Sequence, residues 1–227
     1  MATAPEPPPP PAAVAASGGP RLLLATTSQK KLIELRSIFA GLPLTLITLR
    51  EAGVDTDVEE TGATFRENAV LKAVQYAQVT GLPSLADDSG LEIDALGGEP
   101  GVRSARYAGP DATDADRIAL VLARLGAMPD LPAARRTARF RCVMALAEPQ
   151  GLIDTVDGAC EGLIADAPRG SNGFGYDPIF LLPELGRTMA ELTPAEKDAL
   201  RHRGRAGRAA RPLLERWLLE SAPLPRS

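Results

Sequence analysis

Residues 85–109 read LADDSGLEIDALGGEPGVRSARYAG. The apolar run ending in Asp87-Asp88-Ser89-Gly90 has the pattern of a buried strand that delivers acidic side chains to an exposed turn, and the glycine-rich arm beyond it carries Arg103 and Arg106. Two adjacent carboxylates at the end of a buried strand have to be solvated, paired or bound to a cation. Two readings stay open here. One is a hard metal ion held by the pair; the other is an ordinary hairpin turn, because Asp, Ser and Gly are also what such turns prefer.

The flanking sequence predicts a mixture of strands and helices. Residues 21–26 (RLLLAT) read as a buried strand, Ser28 as the N-cap of a helix through Phe39, and residues 44–49 as the next strand, a β-α-β opening. Thr64 and Glu67 form a capping-box pattern, so a helix is expected from Phe65 to about Val79, with Asn68 and Lys72 on one face and Phe65, Ala69, Ala73, Val74 and Ala77 supplying apolar surface. Residues 85–88 and 91–96 are predicted as separate strands on either side of the DDSG turn. Thr113 and Asp116 cap a helix reaching Leu125. Phe140, Cys142, Met144 and Leu146 alternate with Arg139, Arg141 and Val143, which predicts a strand over 138–147 with one face in the core and the other partly exposed. A further strand is expected over 152–165, a second capping box at Thr193-Pro194-Ala195-Glu196, and a last helix from about Gly207 to Leu219. Strands and helices do not alternate strictly, so the fold class is α/β with a long mixed sheet.

A chain of 227 residues with 44% hydrophobic content can bury a full core. Its formal net charge of -4 provides no general attraction to a polynucleotide or an anionic membrane, so any phosphate binding must come from a local cluster of cations. A nucleotide fits that better than nucleic acid. The two cysteines, Cys142 and Cys160, show no metal-ligand spacing and read as small buried hydrophobes in a reducing compartment. Nothing resembles the run of about 20 apolar residues that a transmembrane helix requires. Residues 1–20, MATAPEPPPPPAAVAASGGP, have the composition of an extended, disordered extension, lack the features of a signal or transit peptide, and are expected to be dispensable. Residues 221–227 are expected to be a flexible tail, leaving 21–220 as the domain.

Four other segments carry chemistry. They are LLLATTSQKKLIELRSIF (22–39), EETGATFRENAVLKA (59–73), PRGSNGFGYDPIF (168–180) and AELTPAEKDALRHRGRA (190–206). Together with ADDSGLEIDALGG they occur in the order and approximate spacing of one family, and over roughly residues 21–220 the chain closely resembles the inosine triphosphate pyrophosphatases. The resemblance implies two lobes around a nucleotide cleft and hydrolysis of XTP, ITP or dITP to the monophosphate and pyrophosphate. It also implies Mg²⁺ as cofactor and a homodimer; the reducing compartment read from the cysteines makes the expected location cytoplasmic.

Hydrolysis between the α and β phosphates requires neutralisation of a polyanion, an activated water and a stabilised leaving group. Mg²⁺ supplies much of this while held by only one or two carboxylates. Glu59, Glu60, Asp87 and Asp88 are the candidates by residue type; the resemblance selects Glu60 and Asp88 as metal ligands and Asp88 as proton acceptor. For Glu59 and Asp87, helix-dipole and turn roles remain open. Residues Thr26, Thr27, Ser28, Gln29, Lys30 and Lys31 lie at a strand-to-helix junction, where backbone N–H groups favour an anion. The family's glycine and asparagine are Thr27 and Ser28 here, and Lys31 aligns with its lysine. The resemblance adds Lys72, Ser89 and Lys197 as substrate contacts. It assigns the base to Phe174, Gly175, Tyr176 and Asp177, with His202 and Arg203 from a Ser-His-Arg motif whose serine is Arg201 in this chain. A π face holds any purine; discrimination needs a donor aimed at O6, for which Arg203 is the choice. Two rivals stay open: a Maf-like pyrophosphatase acting on other modified nucleotides, and a non-catalytic nucleotide-binding protein, suggested by the departures at Thr27, Ser28 and Arg201.

Overall fold

The computed structural model describes residues 19–128 and 131–221. Most of the proline-rich extension, residues 1–18, and the tail after residue 221 therefore lie outside the described residues. Among the described residues, seven strands form one mixed sheet in the order β2-β1-β3-β4-β5-β6-β7. Strand β1 (Arg21–Leu24) runs parallel to both β2 (Thr45–Thr48) and β3 (Ser84–Ile93). β1 lies between two strands with helices over both faces, which is why its sequence is a continuous apolar run. From β3 onward the sheet is antiparallel through β4 (Thr137–Glu148), β5 (Gly151–Ile164), β6 (Phe180–Leu182) and β7 (Arg187–Thr188).

The helices start where the sequence predicts caps. Ser28 Oγ accepts the Lys31 N–H at the start of α1 (Gln29–Ile38). Capping boxes open α2 (Phe65–Thr80) at Thr64/Glu67, α3 (Asp114–Gly126) at Thr113/Asp116 and α4 (Pro194–Leu200) at Thr193/Glu196. The last helix, α5, spans His202–Glu220, starting five residues earlier than the sequence suggested. Within it, Gly207 lies where a Cβ would come within 2.6 Å of the Ile38 side chain, so the close packing of α5 on α1 requires glycine at this position.

The largest correction concerns β3. It is one ten-residue strand paired with β4 throughout, from Ser84 opposite Ala147 to Ile93 opposite Ala138, and no turn interrupts it at Asp87-Asp88-Ser89-Gly90. Residues 94–96, predicted as strand, form a 3₁₀ turn. Gly90 has another purpose than turning the chain. A Cβ there would meet Ser104 Oγ at 2.3 Å and Gly101 O at 2.7 Å, so glycine permits the arm carrying Ser104 to lie against the strand, where Ser104 Oγ accepts the Leu91 N–H. The second face of β4 is also more buried than expected, since Val143, Ala145 and Ala147 pack under α2.

Apolar packing divides the molecule into two lobes. In the first, α1 and α5 pack on one face of the sheet through Leu32, Leu35, Phe39, Leu213, Leu214 and Trp217, and α2 covers the other through Phe65, Ala69, Ala73 and Tyr76. In the second, Leu91, Ile93, Phe140, Ile179, Phe180 and the apolar face of α3 form a separate core. β3 and β4 run through both lobes: Leu85 belongs to the first and Leu91 to the second, Met144 to the first and Phe140 to the second. The polar segment 87–89 falls at the crossing point.

Candidate active site

A cavity of about 250 Å³ opens between the lobes, over the middle of β3. Its lining includes Lys31, Glu60, Asp88, Ser89, Phe174, Gly175, Tyr176, Asp177, His202 and Arg203, ten of the residues singled out in the sequence. Five segments far apart in the chain thus deliver the motifs to one place. Thr26, Thr27 and Gln29 instead line a separate groove on the outer side of the α1 entry loop, and Ser28 is used as the helix cap. Glu59 is exposed.

At one end of the cavity, successive positions of β3 send two carboxylates into different surroundings. Asp88 faces α2: its Oδ1 lies 3.2 Å from Lys72 Nζ and its Oδ2 accepts from Asn68 Nδ2 at 3.3 Å. Lys72 Nζ also donates to Glu60 Oε1 at 2.7 Å, so a single ammonium joins the two carboxylates. Asn68 Oδ1 accepts the Gly62 N–H at 2.7 Å, which fastens the loop carrying Glu60 to the same helix face. Burial, supported by the negative charge of Glu60 and opposed by Lys72, pushes the Asp88 carboxyl above its usual range. For Lys72, burial works against the charged form, but Asp88 and Glu60 outweigh it and keep the ammonium protonated.

Asp87 points to the opposite face and is 2% exposed. Its Oδ2 receives Lys31 Nζ at 2.9 Å and Arg203 Nε at 3.2 Å, while Oδ1 is buried with no hydrogen-bond partner. Burial opposes its ionisation, and the charges of Lys31, Arg203 and Lys72 outweigh that and hold the carboxyl below the usual range. Arg203 is 2% exposed and also donates to Glu34 Oε2 at 2.6 Å and Ser89 Oγ at 2.9 Å. Three of its five N–H groups are thereby committed, while the guanidinium still borders the cavity.

The far end is built around Phe174. Lys30 Nζ stands 4.7 Å from the ring centroid and the Arg201 guanidinium carbon 5.6 Å. Asp177 Oδ2 accepts from Lys197 Nζ at 3.0 Å and Arg201 Nη2 at 2.7 Å. Lys197, 3% exposed, spends its ammonium on Asp177 and the Asn172 carbonyl. Tyr176 packs into the second core and donates to the Ser104 carbonyl, so it forms wall and leaves the exposed ring face to Phe174. His202 stacks on Phe140 with centroids 5.0 Å apart, and its Nδ1 is buried without a partner. Burial, reinforced by Arg203 and Arg201, keeps its pKa well below the usual value, so the imidazole is neutral near pH 7. Arg201, the N-cap of α5, makes no side-chain cap.

Two participants escaped the sequence reading. Glu34 on α1 takes Arg201 Nη1 at 2.8 Å on one oxygen and Arg203 on the other. Its spacing from Lys30 reads as an ordinary surface pair along a helix. Asp114 accepts the Gly175 N–H at 2.7 Å and pairs with Arg117, yet in the sequence it is simply the first helical residue after a cap.

The donor set suits a hard divalent cation. Among the described residues no group of three or more His, Cys, Asp or Glu side chains gathers as a complete metal cage. Mg²⁺ does not need one, because it keeps several waters and takes one or two carboxylates together with substrate phosphate. Charge balance points the same way. The carboxylates of Glu34, Glu60, Asp87, Asp88 and Asp177 are matched by Lys31, Lys72, Lys197, Arg201 and Arg203. A triphosphate with about four negative charges therefore meets little surplus positive charge beyond Lys30.

Known proteins are similar to this chain in sequence and in fold. A dITP/XTP pyrophosphatase from Geobacter sulfurreducens is 51% identical over 176 residues, covering 78% of this chain and 87% of that protein. One of the same description from Thermus thermophilus is 50% identical over 196 residues, covering 86% and 90%. The solved structure of a HAM1 protein from Coxiella burnetii matches with a TM-score of 0.81 and 47% identity over 87% of this chain and 99% of that one. Residues 22–213 match the model of the Ham1 family, and the chain belongs to that family.

Proposed function

We propose that this chain hydrolyses non-standard purine nucleoside triphosphates (XTP, ITP and dITP) to the monophosphate and pyrophosphate, clearing them from the nucleotide pool. The observation that carries this reading is the Glu60–Lys72–Asp88 cluster at one end of a cleft whose other end presents Phe174. The relatives described as dITP/XTP pyrophosphatases support the substrate class.

In the proposed reaction, a water oxygen bonds to the α phosphorus as the bond from that phosphorus to the α–β bridging oxygen breaks, and the electron pair leaves with pyrophosphate. Asp88 accepts the proton of the attacking water, a role suited to a carboxylate whose basicity burial has increased. Glu60 and Asp88 would hold Mg²⁺, which when bound neutralises triphosphate charge and acidifies water. Lys30 and Lys31 attract the phosphates at the N-terminus of α1, and Lys72 holds the two carboxylates in place. Phe174 offers a stacking face to the base, and Asp177, His202 and Arg203 border it with the polar groups that favour a 6-oxo purine. The homodimer and the cytoplasmic location belong to the same proposal, the latter supported by the free, buried Cys142 and Cys160. Among the described residues, no helix is long and apolar enough to cross a membrane.

The test is an assay of XTP, ITP, dITP, ATP and GTP, with and without Mg²⁺, following monophosphate and pyrophosphate. Turnover of the first three with Mg²⁺, and little of ATP, is the expected result. Turnover of modified pyrimidine triphosphates instead would favour the Maf-like reading, and tight binding without turnover the non-catalytic one.

A further inference from the structure

Arg201 is placed where the two lobes come closest to the Phe174 end of the cleft. It is the single residue between α4 and α5, with an extended backbone (φ -62°, ψ 144°), and its side chain caps neither helix. The guanidinium spans the cleft instead. Nη1 donates to Glu34 Oε1 at 2.8 Å, on a helix anchored in the first lobe by Leu32, Leu35 and Phe39; Nη2 donates to Asp177 Oδ2 at 2.7 Å, in a loop anchored in the second by Tyr176 and Ile179. The planar group also lies by the Phe174 ring. Its side chain is 12% exposed, and its partners Glu34 and Asp177 are 19% and 8% exposed, so these bonds are shielded from water and salt. A serine hydroxyl, which the resemblance expects at this position, is too short to join two carboxylates on opposite walls.

We propose that Arg201 is a positioning residue that clasps the lobes at the base end of the cleft and sets the width of the slot beside Phe174, so that it governs affinity for the purine and not for the phosphates. This rests on the proposed purine nucleotide specificity. The arrangement also states what removing the clasp would leave behind. Glu34 keeps Arg203 and Asp177 keeps Lys197, so neither carboxylate is stranded without a cation. The fold therefore survives the loss, and the consequence is confined to the separation of two walls that carry like charges.

The experiment compares the full-length wild type with Arg201→Ser and Arg201→Lys. It measures kcat and KM for ITP, inhibition constants for inosine monophosphate and inorganic triphosphate, and Tm. In Arg201→Ser the KM for ITP and the inhibition constant for inosine monophosphate should each rise about tenfold, equivalent to roughly 1.4 kcal/mol. kcat should change less than about threefold, and inhibition by inorganic triphosphate less than about twofold, because only uniform binding of the base is lost. Arg201→Lys should recover part of the affinity at most, since a point-like ammonium lacks the planar fork that meets two carboxylates. In a Glu34→Gln background, Arg201→Ser should cost less than it does alone. Equal weakening of inosine monophosphate and inorganic triphosphate would make Arg201 a phosphate ligand and overturn the clasp, as would an unchanged KM or a collapse of kcat alone. If wild type turned over neither ITP nor XTP, the proposed function would fall, and the two inhibitors, read as calorimetric affinities, would still decide the clasp.

Discussion

Asp87 and Asp88 are neighbours in the chain and opposite in environment. The alternation of a strand turns one toward Lys31 and Arg203 and the other toward Lys72 and Asn68. Asp87 is held ionised by two cations and gives structure to the site; Asp88, with its carboxyl raised by burial, is the better proton acceptor. Asp88→Asn should keep the fold, because the amide can still accept from Lys72, and should lower kcat by about 10²–10⁴-fold, the scale of general-base catalysis. Near-normal XTP turnover at saturating Mg²⁺ would remove Asp88 from the reaction. Arg203→Ala should act on two quantities together. Loss of its buried pairs with Asp87 and Glu34 should lower stability by roughly 3 kcal/mol, read by denaturant titration. Loss of a polar group beside the base should narrow the ratio of kcat/KM between ITP and ATP. Equal losses for both nucleotides would confine Arg203 to a structural role.

Strand β3 is the element on which the site depends. A turn at DDSG would have exposed both aspartates to solvent; continuous pairing with β4 buries them and fixes their opposite directions. Gly90 is the point at which the strand accepts its neighbour. Gly90→Ala should therefore destabilise the protein by about 1–3 kcal/mol, the usual cost of overpacking, by displacing Ser104 from its bond to the Leu91 N–H. It should also lower turnover, since Ser89 and Asp88 lie immediately upstream. An unchanged Tm would show that the arm carrying Ser104 yields without cost. At the start of α2, Thr64→Ala removes one half of a capping box, with an expected cost of about 1 kcal/mol and no change in KM, because the cap lies on the solvent side of the helix that carries Lys72. A KM rise would mean that the cap also sets the position of the Glu60 loop.

The two lobes share β3 and β4, with Leu85 and Met144 in one core and Leu91 and Phe140 in the other. Neither core can lose its strands without opening the other, so thermal unfolding should be one transition with equal calorimetric and van't Hoff enthalpies; two resolved transitions would show that the lobes unfold independently. This sharing also separates what was legible in the chain from what was not. Local chemistry determined the caps at Ser28, Thr64, Thr113 and Thr193, the apolar run of β1 and the mixed α/β character, because each depends on residues within a turn or a strand of one another. The motif order also identified ten of the residues that line the cleft, though not Asp114 or Arg201, and it placed there Thr26, Thr27 and Gln29, which line another groove. Local chemistry misread DDSG, where glycine usually marks a turn, and started the last helix late, at Gly207, since the requirements at Gly90 and Gly207 come from Ser104 and Ile38, outside their own segments. Only the tertiary structure decided the opposite fates of Asp87 and Asp88, the placement of Lys72 between Glu60 and Asp88, and the engagement of Glu34 with Arg201 and Arg203. Those depend on charges brought together across up to 169 positions of chain, and a buried charge takes its partner from the packing around it.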